Sequence, residues 1–318
     1  MVAPIAPTAP TDSTRTKTCS LCSGEDAPKV GTQRMLTKYD ADYFQCVHCD
    51  LIQTESPYWL EEAPWASIAH MDTGAVMRHD VCVRVALMVA HLFDLDGTSQ
   101  GMDYGAGFGL FVRAMRDRGF DFRWWDIFSP NIFAKGFEAD HTQRHDLVTA
   151  FEFFEHLPRP GTELAPLFAA GHDVILVGTV LHDGQYRPDW YYMFPAIGGH
   201  VVFYSPKTMQ HIADRWGYQV VATKQHTAFF RRPLSTQRRR VLERILLTPS
   251  SRGARLFLKV APRYESLVLA DLGRLLPEFL GSIPGATPCE TPPRRGLPAF
   301  RRQRWWREAA IRLAGMVR

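Results

Sequence analysis

"GMDYGAGFGLFVRAMRDRGFDFRWWD", residues 101–126, decides the fold. A short apolar strand ends at Asp103. A turn follows with glycines at 105, 107 and 109, then a helix through Arg118 and a second strand, "FDFRWWD". This order is a β-turn-α-β unit. The glycines let the backbone pass close beneath a ligand at the carboxyl end of the first strand. A dinucleotide fingerprint would place Gly or Ala three residues after Gly107, and Leu110 stands there. No Gly-Lys-Ser/Thr follows, which excludes a P-loop. What remains is Asp103 two residues before the first glycine, a G-x-G-x-G turn, and Asp126, 23 residues after Asp103, at the end of the second strand. A carboxylate at that place can accept two hydrogen bonds from ribose hydroxyls.

The unit has neighbours of the same kind. "AVMRHDVCVRVALMVAHLF" (75–93) carries apolar residues at helical spacing. "DLVTAFEFFEHLP" (146–158) opens as a buried strand, "DVILVGTVL" (173–181) is another, and a helix over 206–216 leads to the strand "YQVVATK". Taken in this order, the segments resemble the class I S-adenosylmethionine-dependent methyltransferases over about residues 67–230. The resemblance implies an α/β, Rossmann-like doubly wound sheet and S-adenosyl-L-methionine as cofactor. It implies that Gly105, Gly107 and Gly109 border the methionine part, that Asp103 orients the ammonium group, and that Asp126 holds the ribose.

Ahead of this region, "CSLC" at Cys19 and Cys22 is followed after 23 residues by "CVHC" at Cys46 and Cys49. Two knuckles of matched spacing close a four-thiolate tetrahedral zinc site, structural because no coordination position is left open. Short β-like stretches between them, such as "DYFQC", fit a zinc ribbon over 19–60. His48 is read as a bystander, and Cys82 and Cys289 as ordinary thiols. A four-cysteine module before such a domain resembles bacterial sugar-modifying methyltransferases, including the C-methyltransferases of deoxysugar pathways. The stretch 189–221, with "GGHVVFYSPKT" at its centre, is similar to an ending found in methyltransferases of polysaccharide clusters.

"FEFFEH" (151–156) places Glu152, Glu155 and His156 at i, i+3 and i+4 if a helix begins after Phe151. They would then share one face at the ligand-binding edge of the sheet. The spacing resembles the Glu-x-x-Glu-His run of metal-dependent O-methyltransferases acting on the ribose end of small RNAs and on ubiquinone precursors. Carried over, Glu152, Glu155, His156 and His200 would hold a divalent ion, Mg or Mn. Two other readings stay open: His156 or His200 as a metal-free general base, and a purely structural helix start. Trp190, Tyr191 and Tyr192 are candidates for stacking on a sugar, for a lid, or for plain apolar cover. Asp72 and Arg78, just before the first helix, are read first as a plain helix entry and second as contributors to the pocket.

Composition sets the remaining bounds. The 318 residues are 46% hydrophobic, enough for a substantial core, and no run approaches the ~20 apolar residues of a membrane span. Residues 1–18 lack an apolar signal core and read as a disordered lead, which points to a cytoplasmic protein with reduced or metal-bound cysteines. Charge is uneven: residues 231–318 hold 19 Lys and Arg against 6 Asp and Glu, a balance of +13, against −9 for the first 230. This basic helical extension, ending in an amphipathic stretch with Trp305, Trp306, Ile311 and Leu313, suits peripheral contact with an anionic inner-membrane surface or a wrap on the catalytic body. Nucleic acid is disfavoured, because no groove-reading or RNA-binding signature is present.

The sequence therefore predicts a methyltransferase acting on a sugar or polysaccharide precursor, at oxygen. C-methylation of a keto-deoxysugar nucleotide and a non-catalytic zinc-ribbon interaction protein are its alternatives.

Overall fold

The computed structural model describes residues 15–63 and 72–281, with side chains described to residue 275. The chain opens with β1 (Thr16–Lys17), β2 (Ala27–Met35), β3 (Tyr39–Gln45) and β4 (Ile52–Thr54), each antiparallel to the next. Thr16 and Lys17, expected within a disordered lead, are thus a paired strand; Arg15 beside them forms an ion pair with Asp42. The β2–β3 hairpin turns through Leu36 and Thr37, both left-handed (φ 51° and 58°), with Lys38 N–H donating to the Met35 carbonyl at 2.9 Å. Asn-Gly is the usual occupant of such a turn. Here the tip is held from outside: Leu36 N–H donates to Pro195 O, and the indole of buried Trp59 donates to Gly198 O.

The second sheet carries the nucleotide-type topology. After α1 (Ala75–Leu92) come β5 (Gln100–Tyr104), α2 (Leu110–Arg116), β6 (Asp121–Trp125), β7 (Leu147–Phe151), α3 (Pro160–Glu163), α4 (Ala165–Ala169) and β8 (Val174–Gly178). A two-residue strand β9 (Val202–Phe203), α5 (Pro206–Trp216), β10 (Gln219–Ala222) and β11 (His226–Phe230) complete the body. The strand order is β10-β11-β8-β7-β5-β6, with β5 to β8 mutually parallel and β10 and β11 antiparallel additions. Strand β11, which carries no alternation because all five of its residues are buried, was not among the elements expected from sequence.

Between β5 and β7 the winding reverses, which opens a crevice at the carboxyl ends of the strands. Beyond β6 only an isolated bridge, Trp124 to Glu138, follows among the described residues. One face of the sheet is covered by α1, whose Val85, Ala86, Met88, Val89 and Leu92 are fully buried. The other face is covered by α4 and α5, and also by the cysteine knuckles: Cys19, Cys46 and Cys49 share a core with Val148, Leu167, Met209 and Ile212.

The first sheet is not a separate body. Its last strand, β4, pairs with β9, matching Ile52 to Phe203 and Gln53 to Val202. Gly161 N–H donates to Ser20 O, and the Thr208 hydroxyl to Cys49 O at 2.8 Å. The module expected over 19–60 is therefore built into the body of the second sheet by shared hydrogen bonds.

After β11, α6 (Thr236–Leu247), α7 (Arg252–Val260) and α8 (Val268–Gly281) wrap onto the same body. Leu242, Ile245, Leu246 and Phe257 join the core beneath α1. Asp271 of α8 anchors the wrap. Its two oxygens accept from Arg116 Nε and Nη2 at 2.8 and 2.7 Å, and it also pairs with Arg113, so α8 is clamped to α2. Burial pushes Asp271 up, yet the two guanidiniums outweigh it and hold the carboxyl below its ordinary value. Trp305, Trp306, Ile311 and Leu313 lie outside the described residues. Among the described residues no helix is long and apolar enough to cross a membrane.

Breaking a buried ion pair from one side costs ~3–5 kcal/mol. Arg116 keeps Asp121 and the Phe122 carbonyl, so Asp271→Ala is expected at the low end, about 3 kcal/mol. The checks are a lower Tm and faster amide exchange in α8. An unchanged Tm would show that this clamp does not hold the helix.

Candidate active site

At the end of β5 the chain turns through three glycines, all left-handed (φ 81°, 53° and 88° at 105, 107 and 109). Their reasons differ. A Cβ on Gly105 would sit 2.3 Å from the Phe153 ring, and one on Gly109 would press on Ala134 at 3.0 Å. A Cβ on Gly107 would meet nothing within 4 Å, because that side of the turn faces an open cavity. Gly105 and Ala106 donate to Trp125 O, which ties the turn to the end of β6. Asp126, the next residue, completes the tie: it accepts from Gly107 N–H at 2.7 Å, Phe128 N–H at 2.6 Å and Ser129 N–H at 2.8 Å. A carboxylate offers about four acceptor sites, so this one retains capacity for a ligand hydroxyl.

The cavity measures about 760 Å³ and is bordered on one side by Gly105, Gly107, Asp126, Phe128 and Ser129. These are predicted cofactor residues and their immediate neighbours. Asp103 is placed differently. It is buried, does not line the cavity, and accepts from the Thr149 hydroxyl of β7 at 2.6 Å. Burial pushes its carboxyl up to about 7, against the pull of that hydrogen bond.

Across the cavity lie Glu152, His156, Tyr191, Tyr192, Phe194 and His200, with Asp72 and Arg78, which pair with each other. The local backbone departs from the helix that the "FEFFEH" spacing suggested. Glu152 is left-handed (φ 50°), with its N–H on Gly178 O at 2.7 Å, and only Phe154–His156 form a short 3₁₀ turn. The three side chains consequently do not line one helix face. Glu155, His156 and His200 converge, with one donor atom from each lying within 4.8 Å of the others, and Glu152 stands outside the set. Of the four residues expected from sequence to hold an ion, three converge and Glu152 does not. Glu152 lines the cavity instead, where burial first and then the Glu155 carboxylate push it up to about 8. A non-glycine residue held in this backbone region is a strained feature of the kind that clusters at working sites.

The convergent three are oriented by hydrogen bonds behind them. His156 Nδ1 meets Gly199 O at 2.9 Å and His200 Nδ1 meets Tyr192 O at 2.7 Å. Carbonyls at Nδ1 fix the tautomer and make Nε2 the nitrogen that can act as base or ligand. Burial keeps His200 below its ordinary value and hence neutral. Glu155 is fully buried: Oε1 accepts from the Tyr192 hydroxyl at 2.5 Å, while Oε2 has no partner among the described residues. Burial and the facing Glu155 carboxylate raise the Tyr192 phenol well above its ordinary value, so it remains a donor. Of the three aromatics singled out in sequence, Tyr191 and Tyr192 line the cavity, whereas Trp190 packs in the core around Phe203 and Tyr192. Cys82, Gln225 and His226 also line it; they carry no motif and reach the cavity only through the folding of α1 and the β10–β11 turn.

A second donor cluster lies in the first sheet. Cys19, Cys22, Cys46 and Cys49 bring four sulfurs within 4.8 Å of one another. The knuckles match: Ser23 N–H donates to Cys19 O and Asp50 N–H to Cys46 O, each at 3.0 Å, and both Ser23 and Asp50 are left-handed.

Residues 77–223 match a methyltransferase-domain family. Among solved structures, the methyltransferase domain of bacterial CtHen1-CN is similar at 16% identity (TM-score 0.33), covering 46% of this chain and 97% of that one. Human N-acetylserotonin methyltransferase in complex with SAM is similar at 15% identity (TM-score 0.35), with 46% and 52% covered. CalO1, a methyltransferase in calicheamicin biosynthesis, is similar at 14% (TM-score 0.37), with 54% and 59% covered. The matched region thus spans between half and three-fifths of those last two chains. No curated protein sequence matches. The middle of the chain is a methyltransferase domain with the class I α/β fold.

Asp126→Ala removes the acceptor that holds Gly107 and borders the cavity. Loss of one hydrogen bond to a charged group is worth ~1.5–3 kcal/mol, so S-adenosylhomocysteine affinity should fall at least about tenfold by calorimetry. Unchanged affinity in the folded variant would remove Asp126 from the cofactor site.

Proposed function

We propose that this chain transfers a methyl group from S-adenosylmethionine to a hydroxyl of a saccharide or polysaccharide precursor, with a divalent ion at Glu155, His156 and His200. The observation that carries the reading is the fully buried Glu155, whose Oε2 has no partner among the described residues and whose carboxylate converges with two imidazoles whose Nδ1 atoms are already engaged. An unmatched buried charge is costly unless a cation completes it. The carboxylate suits magnesium or manganese, and manganese accepts imidazole more readily than magnesium does. When bound, such an ion lowers the pKa of a hydroxyl that touches it. The methyl donor itself is already activated, so the remaining task of the chain is alignment.

The cofactor belongs at the turn of Gly105, Gly107 and Gly109 with Asp126, and the open side of Gly107 is the cradle that a side chain would fill. Asp103 supports the turn from beneath and reaches the ammonium group through water. Glu152 and the Asp72–Arg78 pair stand on the acceptor side, where they can take hydroxyls neighbouring the methylated one. Zinc is assigned to the four cysteines on their sulfur convergence and the two matched knuckles. Its task is to hold the first sheet, and through β4 and β9 the segment that carries His200. The excess positive charge after residue 230 supports an anionic partner for that segment.

Transfer of labelled methyl groups from S-adenosylmethionine should be assayed on saccharides bearing neighbouring hydroxyls. A weak chelator that leaves zinc in place is expected to abolish turnover but not S-adenosylhomocysteine binding, and Mg²⁺ or Mn²⁺ to restore it. Full turnover with zinc as the sole metal would reject the catalytic ion and leave the histidines as bases.

The zinc assignment is tested separately with a Cys46→Ser, Cys49→Ser variant. It should lose about one equivalent of zinc and expose β9 amides to exchange, since such sites supply folding energy to their modules. Wild-type protein without zinc would contradict the assignment.

A further inference from the structure

We propose that Tyr192 is the positioning residue of the Glu155–His156–His200 cluster, holding Glu155 through its hydroxyl and His200 through its main-chain carbonyl. This inference rests on the reading of that cluster as a divalent-ion site. Two of the three donor residues are bound by this one residue: the Tyr192 hydroxyl to Glu155 Oε1 at 2.5 Å, and Tyr192 O to His200 Nδ1 at 2.7 Å. Its ring also packs on the His200 imidazole, with centroids 4.6 Å apart.

The surroundings show that the hydroxyl has a purpose. Tyr192 is only 4% exposed. A phenol so deeply buried is worse than phenylalanine unless its oxygen is used. Its hydroxyl lies 3.3 Å from Thr179 Oγ1 and 2.5 Å from the carboxylate, so Glu155 is its main partner. With Oε1 engaged by the hydroxyl, Oε2 is the carboxylate oxygen that has no partner among the described residues.

The backbone around Tyr192 is shaped to the same end. Residues Tyr191–Met193 form a 3₁₀ turn that Phe194 ends in a left-handed conformation (φ 44°). That turn aims the carbonyl of residue 192 at His200, eight residues onward. From there Gly199 O meets His156 Nδ1, and Val201 N–H donates to Glu155 O. The segment 192–201 thus touches every member of the cluster, and Tyr192 is the side chain through which it fixes the acid.

Hydrogen-bonding partners behind metal ligands typically alter affinity by ~10–100-fold when removed. The test uses the full chain with zinc retained and S-adenosylhomocysteine bound, titrated with Mn²⁺ and followed by electron paramagnetic resonance. Wild type should bind Mn²⁺, and Tyr192→Phe should bind it at least about tenfold more weakly with S-adenosylhomocysteine affinity unchanged. In a Glu155→Gln background the same substitution should add no further loss, because its effect passes through the carboxylate. Absence of Mn²⁺ binding in wild type would defeat the ion-site reading itself. Wild-type binding that Tyr192→Phe leaves within about twofold would overturn the role of Tyr192 alone. Should Tyr192→Phe not fold, a fluorinated tyrosine at position 192 decides: it keeps the ring and makes the hydroxyl a stronger donor, so an Mn²⁺ affinity within about twofold of wild type rejects the proposal and a larger change upholds it.

Discussion

Two backbone hydrogen bonds in series, Thr54 N–H to Val201 O and Val201 N–H to Glu155 O, join the three parts of this protein. Thr54 ends the sheet that the cysteine knuckles terminate, Val201 follows His200, and Glu155 lies just beyond β7. Each bond alone is worth only ~1 kcal/mol net. Their effect is geometric: the distance between His200 and Glu155 depends on where β4 sits, and β4 is placed by its knuckle. Gln53 strengthens the dependence, since its amide bridges Ser20 N–H and Thr18 O on the opposite knuckle. A cysteine module that could have been an appendage is thereby part of the framework that places Glu155 and His200.

The cofactor side is organised by a different device. Asp126 spends three acceptor sites on backbone amides, so the glycine turn is shaped before any ligand arrives. Such preorganisation lowers the ordering cost of binding. Asp103 lies deeper, where burial resists its ionisation. A cationic group brought near would favour the charged form.

The basic extension shows charge spent on structure. Arg113 and Arg116 take Asp271 of α8, and Arg232 and Arg238 take Asp94 beyond α1. Exposed pairs such as Arg232–Asp94 contribute little, whereas the Arg116–Asp271 pair, almost wholly buried, matters because breaking it would strand a charge. Both proposed uses of the segment are compatible: α6, α7 and α8 cover the body, and arginines at 231, 239 and 240 remain exposed.

Much of this was legible in residue order. The G-x-G-x-G turn between Asp103 and Asp126 encodes a strand-turn-helix whose ligand edge is local, because left-handed glycines and a strand-end acid act within a few residues of each other. The C-x-x-C pairs likewise act over four residues, and the apolar runs of β7 and β8 declare buried strands. The "FEFFEH" spacing was legible as a donor-rich segment and misleading as a helix: periodicity assumes helical backbone at Glu152, whereas the hydrogen bond of its N–H to Gly178 holds it left-handed and swings it out of the donor set. The β2–β3 hairpin, turning on Leu36 and Thr37 without Asn-Gly, was hidden because contacts from residues 195–198 hold the turn. Local backbone preference thus specified the class I fold and the glycine turn from the sequence itself. The meeting of Glu155, His156, His200 and Tyr192 was decided by tertiary structure, because long-range backbone pairing, which no spacing rule records, brings those side chains together.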